Sequence, residues 1–275
     1  GIPEEEILLP ELLKKKGYST GIFGKWHLGL GDPFLPNIRG FDEQYGFYEA
    51  FSLYAREDDP GIVSHHHDYF ANRHIWRQKR KGSCAIRENN RVVEDRGYLT
   101  FSLADRACSF LDRHRDEPFF LYLPFSAPHS PFQVPREYYG MFKDQSDHNH
   151  AVYYGMIAAL DEAIGQVMDH LDSLGLMENT LVIFTSDNGG ATYTGATDNG
   201  LLKAGKFSQF EGGVRVPMIL SWPGTLPQGT GFSPPVSLLD IFATVAGASA
   251  SGLPEDRTMD GLNLLPYLSG GIPYP

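Results

Sequence analysis

The sequence predicts an α/β fold: a mostly parallel sheet flanked by helices on both faces. Three observations carry that expectation. Short apolar runs of strand length alternate with longer stretches of helical period. Gly and Pro punctuate the joins between them. Polar groups of catalytic type follow several of the apolar runs directly, where sites form in parallel sheets.

Each element has its own signal. Residues 10–16 read as a short helix, with Pro10 in its first turn, Glu11 at its positive end and Lys14, Lys15 and Lys16 at its negative end. Gly17 suits the position just past it. Residues 18–23 read as a strand. Residues 30–97 are rich in Gly, Pro and Asp and weakly periodic, so they read as long loops with short elements. Residues 98–115 read as a helix with Leu99, Leu103, Ala107, Phe110 and Leu111 on one face. Residues 119–125 and 181–185 are near-continuous apolar runs, expected as strands buried on both faces. A long helix is expected over 150–174, capped by Asn149 and closed by Gly175. A further strand is expected over 216–222 and a further helix over 235–246.

Composition narrows the function classes. The 275 residues are 41% hydrophobic, enough for one large core or two small ones. A net charge of −11 opposes nucleic acid and anionic lipid as partners. The basic run 77–81 is short and reads as a solvated loop. Cys84 and Cys108 form neither a disulfide framework nor a zinc pattern, and a single bridge between them stays open. No apolar run is long enough to span a membrane, and no Asn-x-Ser/Thr sequon occurs.

Three groups fall after predicted strands. Lys25 and His27 follow the first, His129 the second, Asp187 and Asn188 the third. A lysine with three donors and an imidazole suit a tetrahedral oxyanion such as sulfate or phosphate. Asp187 and Asn188 offer hard oxygens for Ca²⁺ or Mg²⁺, although Asp-Asn-Gly-Gly is also ordinary turn chemistry. His129 lies in a loop stiffened by Pro124, Pro128 and Pro131. Lys206 is a second candidate cation, ahead of a tight turn at Gly212 and Gly213. The tract His65-His66-His67-Asp68 is expected as a loop, because neighbours on a strand point to opposite faces.

These pieces together resemble the sulfatase family, in its arylsulfatase-like group. Gly24-Lys25-Trp26-His27-Leu28-Gly29 is similar to a family signature. Ser126-Ala127-Pro128-His129-Ser130-Pro131 is similar to its histidine loop, and Ser186-Asp187-Asn188-Gly189 to its metal segment. Residues 206–217, with Glu211-Gly212-Gly213, resemble its lysine segment, and residues 260–268 its domain-closing segment.

The resemblance implies an alkaline-phosphatase-type fold and hydrolysis of sulfate esters of saccharides or aryl groups. It implies that Lys25 and Lys206 bind sulfate oxygens and that His129 protonates the leaving oxygen. His27 would assist the nucleophile, and Asp187 and Asn188 would ligate Ca²⁺, or Mg²⁺ as the other hard ion. It further implies an exported or lysosomal protein, and the missing sequons lean bacterial. The family nucleophile is a formylglycine made within Cys/Ser-x-Pro-x-Arg, and no such segment occurs in these residues. The chain thus reads as a sulfatase catalytic domain over 1–275, without the nucleophile region, its N-terminal strand and the C-terminal subdomain. Inactivity of the chain alone and weak Ca²⁺ binding are the corresponding expectations. A phosphoester hydrolase of the same superfamily and a non-catalytic binding module are the alternatives. Oligomeric state is not encoded in any of these motifs.

Overall fold

In the computed structural model, residues 1–66, 71–144 and 146–274 are described. The elements run α1 (Leu9–Lys14), β1 (Ser19–Lys25), β2 (Glu43–Phe47), β3 (Ile62–His65), α2 (Ala71–Gln78), β4 (Arg87–Glu88), β5 (Arg91–Val92) and α3 (Leu99–His114). They continue β6 (Phe119–Tyr122), β7 (Phe132–Pro135), α4 (Arg136–Gly140), α5 (His148–Ser173), β8 (Val182–Thr185), α6 (Glu211–Val214), β9 (Met218–Ser221), α7 (Asp240–Ala248) and α8 (Leu265–Leu268).

The central sheet has the order β5-β4-β2-β1-β6. β1 pairs in parallel with β2 on one side and β6 on the other. Alternation along β1 sends Phe23 to one face and Ile22 to the other. Phe23 joins Tyr45, Phe47, Leu99, Leu103 and Phe110 in the main core under α3 and α5. Phe110 meets Phe23 edge-on at 5.7 Å between ring centroids. Ile22 packs with Trp26, Phe41 and Tyr48, with Leu8 beside them. The apolar stripe expected on α3 is fully buried, since Leu99, Leu103, Ala107, Phe110 and Leu111 expose 1% or less.

Several expectations need correction. The sheet is mixed, not mostly parallel: among the described residues only β1–β2 and β1–β6 run parallel. β4 and β5 join antiparallel at one edge, and β8 and β9 form a separate antiparallel pair. Apolar runs of this length are alike whether their neighbours run parallel or antiparallel, so direction was not readable from them. The runs 119–125 and 181–185 are not buried on both faces either, because Tyr122 and Phe184 are exposed. The loop-rich stretch 30–97 contributes β2, an inner strand of the main sheet.

Caps and charges differ in detail. Asp147, not Asn149, caps α5, its Oδ1 accepting the His150 N–H at 3.0 Å. Asn149 instead donates from Nδ2 to the Thr194 carbonyl at 3.4 Å. The basic run is not uniformly solvated: Arg80 turns inward and donates to the carbonyls of Leu53, Tyr54 and Asp95. Cys84 is buried, Cys108 half-buried, and both are free thiols. His67 and Asp68 of the histidine tract lie outside the described residues, and His66 stacks on Trp76 at 3.9 Å.

Candidate functional site

The carboxyl end of β1 is where the site begins. Pairing with β2 ends at Lys25 opposite Phe47. It is extended by Trp26 N–H to the Phe47 carbonyl at 2.9 Å and His27 N–H to the Tyr48 carbonyl at 3.1 Å. On the other side, Lys25 N–H reaches the Pro124 carbonyl at 3.0 Å, just past β6. Gly24 makes this crowding workable. Its φ is +147°, and a Cβ there would overlap the Pro124 carbonyl oxygen.

Trp26 turns inward as an anchor. It is buried, donates from Nε1 to the Phe34 carbonyl at 2.8 Å and meets Phe41 edge-on. His27 is exposed and held at φ +54°, a sparsely populated backbone region for a non-glycine residue.

A second loop brings His129 in after β6. Its N–H closes a turn on the Ser126 carbonyl at 2.9 Å, and its carbonyl accepts the Tyr54 hydroxyl at 2.9 Å. Its Nδ1 faces the Ser130 carbonyl at 2.6 Å. Burial, then the charges of Lys206 and Lys25, lower its pKa to about 4.

The third and fourth loops are built on one another. Asp187 and Asn188 follow β8, and Lys206 N–H donates to the Gly190 carbonyl at 3.0 Å. Gly189 N–H donates to the Gly213 carbonyl at 3.0 Å. A Cβ on Gly189 would overlap the Gly212 carbonyl oxygen, so both loops need backbone without side chains at their contact.

Electrostatics shows which groups share the site. Lys25 is lowered by burial and by Lys206, and supported by the charges of Asp187 and Glu49. His27 is lowered by burial and Lys25, against Glu49. His129 feels Lys206, Lys25 and Asp187. Lys25, His129, Asp187 and Lys206 therefore lie in one another's fields, with His27 beside Lys25. Asn188 follows Asp187 in the chain, its Nδ2 donating to the Gly189 carbonyl at 3.1 Å.

Glu49 was not anticipated. It sits two residues past β2, accepting the Ala50 N–H at 3.0 Å and the Ser83 hydroxyl at 3.1 Å. Aromatic residues at the alternate positions Tyr45 and Phe47 were the available signal in residues 43–47, masked by surrounding Gly and Asp.

The donor set suits a metal in kind and not in number. Asp187 and Asn188 carry hard oxygens, but Ca²⁺ takes about six to eight. Among the described residues no group of three or more His, Cys, Asp or Glu gathers for an ion.

Two like-charged lysines beside one histidine and one carboxylate are the kind of donor set that suits an oxyanion. The Sulfatase family profile matches residues 1–251. The chain belongs to the sulfatase family. It is 34% identical over 277 residues to mouse (Mus musculus) N-acetylgalactosamine-6-sulfatase, covering 98% of this chain and 50% of that protein. It is 30% identical to rat (Rattus norvegicus) steryl-sulfatase, covering 100% of this chain and 57% of that one. Among solved structures, Ps i-CgsB in complex with k-i-k-neocarrahexaose superposes with a TM-score of 0.86 at 35% identity, covering 97% of this chain and 58% of that one. The chain thus spans about half the length of the curated relatives it matches. A phosphonate monoester hydrolase at 21% identity and TM-score 0.59 shares the fold alone. The sulfatases are sulfuric ester hydrolases of alkaline-phosphatase-like fold, here a mixed sheet with helices.

Proposed function

We propose that this chain forms the sulfate-binding part of a sulfuric ester hydrolase acting on sulfated saccharides. The observation that carries the reading is Lys25 and Lys206, far apart in sequence, both acting on half-buried His129. Two cations fixed at one place repel each other, and an oxyanion between them removes that cost. The saccharide class is supported by the relatives, whose names include N-acetylgalactosamine-6-sulfatase and a complex with neocarrahexaose. An exported or lysosomal location rests on the family reading.

The residues take distinct roles. Lys25 and Lys206 hold the sulfate oxygens. His129, with Nδ1 committed to the Ser130 carbonyl, turns Nε2 toward the leaving oxygen. Nε2 is unprotonated at neutral pH without ligand, since the histidine titrates at about 4. A bound anion offsets both lysines and raises that value, so substrate itself loads the proton His129 then donates. His27 stands beside Lys25 to serve a nucleophile. Asp187 and Asn188 are the residues that would hold Ca²⁺ or Mg²⁺, an ion that would supply charge neutralisation there.

The nucleophile is the missing part. No Cys/Ser-x-Pro-x-Arg segment occurs in the 275 residues, so the chain alone is expected to bind sulfate without turnover and Ca²⁺ weakly. Titration with inorganic sulfate, followed by an assay with an aryl sulfate, tests both statements. Absence of sulfate binding sinks the site assignment, and steady turnover sinks the claim of inactivity.

A further inference from the structure

The loop that carries Lys206 also carries an aromatic surface. Phe207 is 78% exposed and stacks on Tyr193, with centroids 5.4 Å apart and planes 18° apart. Phe210, three residues further on, is 51% exposed, and Lys203 Nζ lies 3.9 Å from its ring centroid. Lys206 Nζ itself is 5.7 Å from the Phe207 centroid. The sulfate cradle and this surface are therefore continuous.

The surface is held rigidly. Asn199 accepts the Gly190 N–H at 3.0 Å and donates to the Ala204 carbonyl at 2.7 Å, tying the two loops together. Gly212 N–H donates to the Lys203 carbonyl at 2.9 Å. Ala204 and Phe207 sit at φ +62° and +76°, where glycine is the comfortable residue. An exposed phenylalanine kept in such a conformation gains nothing from burial, and strain of this kind concentrates at ligand sites.

We propose that Tyr193 and Phe207 form a stacking platform for a sugar ring next to the scissile sulfate, with Lys203 receiving a second sulfate along the chain. The proposal rests on the sulfatase reading of Lys25 and Lys206 and deepens it. Flat, exposed rings suit the apolar C–H face of a pyranose, which also presents hydroxyls outward to water. Lys203, seated over Phe210 on the same loop, is a cation suited to a polymer that carries repeated anionic groups. Neutral glycans satisfy the rings but not Lys203, and small aryl sulfates satisfy the cradle but not the platform. The occupant with both chemistries is a sulfated oligosaccharide.

The chain is titrated with neocarrahexaose, with its desulfated form and with inorganic sulfate. The sulfated hexasaccharide is expected to bind about tenfold or more tighter than either control. Phe207→Gly suits the backbone at that position, so it removes the ring while the melting temperature holds. It and Tyr193→Ala are expected to weaken the hexasaccharide by about tenfold and leave inorganic sulfate unchanged. Lys203→Met is expected to flatten the salt dependence of hexasaccharide binding. Unchanged hexasaccharide affinity in all three variants, or a wild type that binds sulfate but not the hexasaccharide, overturns the platform and spares the sulfate cradle. A wild type that binds no sulfate overturns the cradle instead. Variants that alter only the oligomeric state make the surface a protein interface and overturn the platform.

Discussion

His129 Nδ1 lies 2.6 Å from the carbonyl oxygen of Ser130, which fixes the ring and leaves Nε2 as the working nitrogen. With both lysines nearby, the ring stays neutral down to about pH 4. An NMR titration of the free chain is expected to show this histidine titrating near that value. In saturating sulfate its pKa is expected to rise, because the anion cancels the two cations. An unchanged value in sulfate contradicts the placement of the anion between Lys25 and Lys206.

Stability follows from the same group. The unfolded chain binds a proton at His129 near pH 6.5, the folded chain only near 4. Between these values the unfolded state holds more protons, so acidification favours it. The His129 contribution is therefore fully present above about 6.5 and is lost as pH falls through about 4. Denaturant midpoints measured across that window are expected to fall toward acid, and His129→Gln should remove part of the slope.

Neutralising either lysine has a directional consequence. Lys206→Met takes away the larger of the two cationic effects on His129, so its pKa is expected to move up in the free chain. Sulfate affinity should fall by at least about tenfold in the same variant. Both effects should be smaller at high salt. A lysine that served only the surface would change neither reading.

Backbone contact between the two site loops is tested by Gly189→Ala. The added methyl overlaps the Gly212 carbonyl oxygen, which belongs to backbone and cannot swing aside. A loss of about 2 kcal/mol or more is expected, with loss of sulfate binding. Gly140→Ala is the control: its Cβ meets nothing within 4 Å, and α4 should gain about 0.5–1 kcal/mol. Equal melting temperatures for the two variants count against the close approach.

The main core is probed at Phe110. Its side chain points from α3 onto the sheet and is fully buried against Phe23 of β1 and Phe119 of β6. Phe110→Ala is expected to cost about 3–5 kcal/mol by denaturant unfolding. Tyr122, exposed on β6, should cost far less when truncated.

The sequence by itself determined the two long helices and the family. α3 and α5 lie within two residues of their expected bounds, because a 3.6-residue period sustained over four or more turns has few rival readings. Lys25, His27, His129, Asp187 and Asn188 stood out because they follow apolar runs directly, Lys206 because it precedes the Gly212-Gly213 turn, and their motifs carry the family. Strand partners were another matter. β1 and β6 are parallel neighbours, but β8 and β9 face each other antiparallel, and an apolar run of four residues looks the same in either setting. β2 was hidden because its pattern is only five residues long and lies among turn formers.

Tertiary structure alone decided what the site residues do to one another. Nothing local to His129 lowers its pKa as far as burial with Lys206 and Lys25 does, and those lysines arrive from different loops. Glu49 joins the site only because β2 lies beside β1 in register, which carries its loop to the same sheet end as Lys25. The aromatic pair of Tyr193 and Phe207 depends on two loops closing through Asn199. Local sequence sets which groups are present and which backbone shapes are allowed. Long-range packing sets distances, and Coulomb and desolvation effects depend on distance and burial, so only the folded chain makes these residues a site.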